Sequence, residues 1–265
     1  MMDERVERVE RLKQLVAKCD DINTLYELIQ KDAFLLEQID DVPFFDTPLH
    51  KAASAGHIPL AMEMMRLKPS FARKPNPEGF SPFYLALIKG HTEMVHRLLQ
   101  IDGNLVRVKG KEGITALHYA AKNAKNDELD LLSEFRTVCP DSIEDVTIQN
   151  ETALHIALKC HNIGAFEVLV GWLQKDWSKD AISRERTVLN WKDAEGNTVL
   201  HVAVSNNQTQ ASLSVCNKFT YCSNKIKFVV FMKVYGVQRD LIVRIECLNI
   251  ASSICCIYKY MQSRL

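Results

Sequence analysis

Glycine and proline are scarce in this sequence, at 10 and 8 of 265 residues, which excludes a collagen-like or low-complexity chain. Net charge is missing as well. The 33 Lys and Arg residues cancel the 33 Asp and Glu residues, so a broadly basic nucleic-acid binder is excluded. No apolar run reaches the roughly 18 residues that a membrane-crossing helix needs. Near the C-terminus, Cys247–Tyr258 stops at 12 uncharged residues, and Lys233 breaks Phe228–Val234. Residues Met1–Arg8 are charged and hold no apolar stretch, so no secretory signal is expected and the eight cysteines are expected to stay reduced.

Chemical motifs are equally sparse. No two cysteines stand at C-x-x-C spacing and no H-E-x-x-H occurs, so no metal site is expected. The phosphate cradles G-x-G-x-x-G and G-x-x-x-x-G-K-[ST] and the nucleophile elbow G-x-S-x-G are all missing. The carboxylate pairs Asp20-Asp21, Asp40-Asp41 and Glu144-Asp145 fall in polar turns and are expected to be solvated. The sequence therefore predicts no catalysis, no cofactor and no small-molecule substrate.

What is present is a repeat. Thr47-Pro48-Leu49-His50 returns as Ser81-Pro82-Phe83-Tyr84, Thr115-Ala116-Leu117-His118, Thr152-Ala153-Leu154-His155 and Thr198-Val199-Leu200-His201, at separations of 34, 34, 37 and 46 residues. An alanine follows two positions after each: Ala52, Ala86, Ala120, Ala157 and Ala203. Thr or Ser is a good helix N-cap, and proline suits the first helical turn because its missing N–H has no intrahelical partner there. Gly56-His57 and Gly90-His91 end the first helix of their units, since glycine accepts the left-handed cap. A second helix follows, with Met94, Val95, Leu98 and Leu99 as its apolar stripe in one unit, and then a turn such as Lys74–Gly79. Leu49, Leu117 and Leu154 are expected to be buried between units, and the recurring histidines to bond neighbouring backbone. His96 and His161 are expected to face solvent.

A period near 33 with T-P-L-H-x-A at its core resembles the ankyrin repeat. Segments 66–82 (RLKPSFARKPNPEGFSP), 105–121 (LVRVKGKEGITALHYAA) and 189–204 (LNWKDAEGNTVLHVAV) are similar to a narrower group, the plant ankyrin proteins of the BIAN DA type. The resemblance covers roughly residues 1–210. It implies an all-α ankyrin-repeat solenoid of about five repeats, the first degenerate and the last incomplete. In that family a cytosolic array precedes transmembrane helices, often within a PGG domain, and the family is linked to immune signalling at the plasma membrane. The implied function is protein–protein interaction, as an adaptor in plant immune or stress signalling, cytoplasmic or peripheral to the plasma membrane.

Charge divides the chain further. Residues 1–46 carry 6 basic and 12 acidic side chains, residues 47–207 carry 19 of each, and residues 208–265 carry 8 and 2. Three regions are expected: a degenerate capping repeat at 1–46, the array at 47–207 and a divergent, poorly ordered tail at 208–265. In the first, Leu12–Asp32 reads as two short helices split near Asp20-Asp21, with Leu25, Leu28 and Ile29 inward. Gly171–Val188 is an insertion in the fourth repeat, an extended helix or packed loop with one of Trp172 and Trp177 docked. In the fifth repeat, Ala211–Lys218 replaces the expected second helix, so Val199, Leu200 and Val202 are expected to be poorly covered. Two alternatives stay open: membrane association through the basic, apolar tail, and a truncated product without function.

Repeated helix ends and turns offer the candidate partner surface. Arg73, Lys74, Arg107, Lys109 and Lys111 make two successive turns basic. Lys89, Lys122, Asn123 and Lys159 stand where first helices end. These nine residues suit an acidic or phosphorylated protein segment.

Overall fold

In the computed structural model the described residues are 2–123, 129–174, 181–208 and 211. They form thirteen α-helices and short 3₁₀ turns, with no strand among them. The helices are α1 (Met2–Lys18), α2 (Ile22–Lys31), α3 (Leu35–Asp40), α4 (Pro48–Ala55), α5 (Ile58–Leu67), α6 (Pro82–Ile88), α7 (Thr92–Ile101), α8 (Ala116–Asn123), α9 (Leu129–Val138), α10 (Ala153–Lys159), α11 (Ile163–Gln174), α12 (Ala181–Asn190) and α13 (Val199–Ser205). The chain divides into two compact units. One holds Met1–Tyr119 and Glu134–Ile148, the other Ala120–Ser133 and Gln149–Leu265.

In the first unit each motif opens a helix as its residues dictate. The Thr47 and Ser81 hydroxyls accept the amides of His50 and Tyr84, and Pro48 and Pro82 fill the first turn. Helix α4 stops at Gly56, whose φ of 74° a side chain would strain. Small Ala52, Ala53 and Ala86 are buried, which lets α4 and α6 pack against each other. Leu49 and Leu117 are fully buried, as is Leu154 in the second unit. Helices α5 and α7 turn Leu60, Met64, Met94, Val95, Leu98 and Leu99 inward. A 3₁₀ turn follows each second helix, at Pro69–Arg73, Gly103–Arg107 and Pro140–Glu144, and buries Phe71, Leu105, Val106 and Ile143.

The N-terminal region holds more helix than the sequence pattern suggested. α1 begins at Met2 rather than near Leu12, because Met2–Arg11 contains strong helix formers and no Gly or Pro to stop it. The split falls at Cys19–Asp21, where the Asp21 carboxylate accepts the Thr24 amide at 2.7 Å and caps α2. Leu25 and Leu28 are buried, whereas Ile29 is half-buried. A further short helix, α3, buries Leu35, Leu36 and Ile39.

In the second unit, α10 packs on α11 and α13, and α12 packs on both α11 and α13. The described residues of the insertion are helical: α11 runs on to Gln174, and α12 follows where the other units have a 3₁₀ turn, with Val188 and Leu189 buried at its end. Trp172 is the docked indole, at 2% exposure; Trp177 lies outside the described residues. One expectation is overturned here. Val199, Leu200 and Val202 are 0, 2 and 5% exposed, with α10 and α12 packed against α13. The divergent tail, apart from Gln208 and Ala211, lies outside the described residues.

Candidate interaction surface

The surface is built from recurring turns held by recurring side chains. In the first unit the turn before α6 closes on Asn76, whose amide donates to the Phe80 carbonyl at 2.9 Å and whose Oδ1 accepts the Glu78 and Phe80 amides. Successive turns then bond to each other. The Lys111 amide donates to the Gly79 carbonyl at 3.1 Å, and the Ile148 amide donates to the Glu112 carbonyl at 3.0 Å. In the second unit Asp193 does the work of Asn76: its Oδ1 accepts the Glu195 and Asn197 amides at 3.1 and 2.8 Å.

The motif histidine ties helix to turn. His50 Nδ1 receives the Thr47 hydroxyl at 2.8 Å and the Thr47 amide at 3.1 Å. That leaves the proton on Nε2, which donates to the Phe80 carbonyl of the next turn at 3.1 Å. His155 repeats this, with Nε2 3.2 Å from the Asn197 carbonyl. Burial holds both imidazoles below their ordinary pKa, His50 down to about 4, so they are neutral structural groups. His118 shares the contact to its threonine, Thr115. His201 keeps its bond to Thr198 but is exposed, having no following turn among the described residues. A second tether escaped the sequence reading: the residue after the helix-ending glycine reaches back. His91 Nε2 lies 3.0 Å from the Ser54 carbonyl and His57 Nδ1 3.3 Å from the Asp20 carbonyl.

The nine candidate residues separate into two groups. Four are engaged within the chain. Arg73 pairs with Asp102, and Lys74 reaches the Asp40 carbonyl and lies 3.7 Å from its carboxylate. Arg107 grips Asp145 through two nitrogens. In the second unit Lys159 bridges Glu151 at 2.7 Å and Asp193 at 2.9 Å. Burial pulls the Lys159 pKa down, but its two carboxylate partners outweigh that and raise it. Lys89, Lys109, Lys111 and Lys122 are exposed and form no ion pair among the described residues. Asn123 ends α8 and is exposed.

Two expectations about charge and exposure fail. Asp145 is not a solvated turn acid, being 8% exposed against Arg107, and Asp40 is held by Ser70, Lys68 and Lys74. Burial alone would raise the Asp40 pKa; the Ser70 hydrogen bond and the two lysines bring it below its ordinary value. His96 does not simply face solvent either, since its Nδ1 lies 2.6 Å from a Glu134 oxygen. His161 is exposed, yet the Gln208 side chain meets its Nδ1 at 3.0 Å. Single residues in turns carry no period from which such partners could be read.

Helix pairs joined by hydrogen-bonded turns, each pair repeating the same caps and tethers, define a helical repeat protein. Within residues 13–109 the repeats are ankyrin repeats, matching that family's model in three copies. Two similar proteins come from Arabidopsis thaliana. Ankyrin repeat-containing protein BDA1 is 49% identical over 67 residues, 25% of this chain and 16% of that protein. Ankyrin repeat-containing protein At5g02620 is 38% identical over 96 residues, 34% of this chain and 18% of that protein. Each match thus spans less than a fifth of the relative's length.

Proposed function

We propose that this protein is an adaptor in plant immune or stress signalling that docks an acidic or phosphorylated segment of a partner protein. The observation that carries it is the division of the candidate cations. Arg73, Lys74, Arg107 and Lys159 are already neutralised by carboxylates of the chain, while Lys89, Lys109, Lys111 and Lys122 have no ion-pair partner among the described residues. Opposite charge steers association and selects partners more than it adds raw affinity. A preformed repeat surface also loses little conformational freedom on binding. Similarity to plant ankyrin proteins supports the signalling context, and the BIAN DA-type resemblance supports a cytoplasmic place at or near the plasma membrane.

Lys109→Glu/Lys111→Glu tests the proposal, since both side chains are exposed and reversal leaves the intrachain ion pairs intact. Proteins captured from plant extract by the native chain should lose their acidic-segment members with the variant. Those members should bind the native chain in a salt-dependent manner, with the loss in on-rate. An unchanged set of captured proteins and unchanged rates would overturn it.

A further inference from the structure

The second repeat breaks the histidine pattern. Tyr84 stands where His50, His118, His155 and His201 stand in the others. A phenol lacks the acceptor nitrogen that closes the Thr–His contact, and Tyr84 forms no side-chain hydrogen bond among the described residues although it is only 9% exposed. Its ring turns to other rings instead. It stacks on Phe80 with centroids 5.3 Å apart and planes 15° apart, and it meets Tyr119 edge-on at 5.4 Å and 72°. Phe80 and Tyr119 are both half-exposed, so one side of the stack is open. Lys89 caps the same helix, α6, five residues or about 7.5 Å beyond Tyr84. Lys109 and Lys111 lie on the turn that leads into α8, the helix bearing Tyr119.

We propose that Phe80, Tyr84 and Tyr119 form an aromatic subsite that accepts one apolar side chain of an acidic protein segment, whose flanking carboxylates pair with Lys89, Lys109 and Lys111. The subsite rests on the lysine-docked partner proposed above and adds what it must carry between its charges. Open ring faces and edges take up an aromatic or aliphatic side chain by burial and by offset or edge contacts. The lysines at either end of α6 are free to neutralise an acid on each side. The Tyr84 hydroxyl, without a partner among the described residues, is a hydrogen-bond donor that a ligand carbonyl satisfies. A histidine at this place is spent on its own turn; a tyrosine is left for a ligand.

The test uses fluorescein-labelled twelve-residue peptides of alternating Asp and Glu with Phe, Tyr, Leu, Pro or Ala at the centre, titrated into the full chain by anisotropy. At least one aromatic or aliphatic centre should bind tenfold or more tighter than the alanine peptide. That advantage should vanish in Tyr84→His, which restores the repeat pattern and keeps the fold, and in Tyr119→Ala. Circular dichroism on both variants confirms folding. Equal, salt-sensitive binding of all peptides would overturn the aromatic subsite and leave the lysine docking standing. Binding of none would overturn both, and an advantage that survives Tyr84→His and Tyr119→Ala would overturn the placement.

Discussion

The Arg107 guanidinium closes on the Asp145 carboxylate through contacts of 2.7, 3.0 and 3.1 Å, although 38 residues separate them in sequence. The pair joins the end of one 3₁₀ turn to the residue after the next, and Lys74, the residue after the turn at Pro69–Arg73, reaches back to Asp40 at the end of α3. Opposite charges placed on neighbouring turns help fix the register of the first unit. They also explain why the turn with Arg73 and Lys74, basic in sequence, is neutralised by Asp102 and Asp40.

Arg107→Ala should lower stability by about 1–2 kcal/mol. Asp145 loses its countercharge while staying buried, but Arg107 is 41% exposed and solvent screens part of the interaction. Urea denaturation gives the value. Replacing both residues, Arg107→Ala with Asp145→Ala, should cost less than the sum of the two single changes. A native midpoint in Arg107→Ala would mean that the pair contributes nothing to the fold.

Acid should weaken the protein before its carboxylates titrate. Burial lowers the His50 pKa from 6.5 to about 4, so between those values the unfolded chain binds a proton that the folded chain does not. The stabilisation is complete above pH 6.5 and falls away as pH drops towards 4, by about 3 kcal/mol for this one group. His155 acts in the same direction. Denaturation curves from pH 7.5 to 4.5 should show the decline, and His50→Gln should be less stable at pH 7.5 yet flatter across the window. Parallel pH profiles for the two proteins would refute this account of His50.

Gly103→Ala should destabilise the first unit even though its backbone is not left-handed. A methyl group there would stand 2.2 Å from Val138 Cγ1, a branched side chain with little freedom to swing aside. Overpacking of this kind costs roughly 1–3 kcal/mol. Val138→Ala should recover most of the loss when combined with Gly103→Ala, as read by thermal melting. A double variant no more stable than Gly103→Ala alone would place the strain elsewhere.

Much of this was legible in the residues themselves. T-x-L-H-x-A at regular spacing identified the ankyrin helix starts, the glycine-ended first helices and the buried Leu49, Leu117 and Leu154, because caps and apolar period act over a few neighbouring residues. What the sequence could not decide was pairing over a whole repeat. Which cations were neutralised depended on Asp40, Asp102, Asp145 and Asp193, each reached only once the helix pairs had stacked. Helices α10 and α12 pack on the helix that carries Val199, from up to 46 residues away in sequence. Tyr84 was visible as a departure from histidine, but its partners Phe80 and Tyr119 were not. Local rules write each repeat, while contacts between repeats form across some 30 to 50 residues and carry no period of their own, so only tertiary packing assigns them.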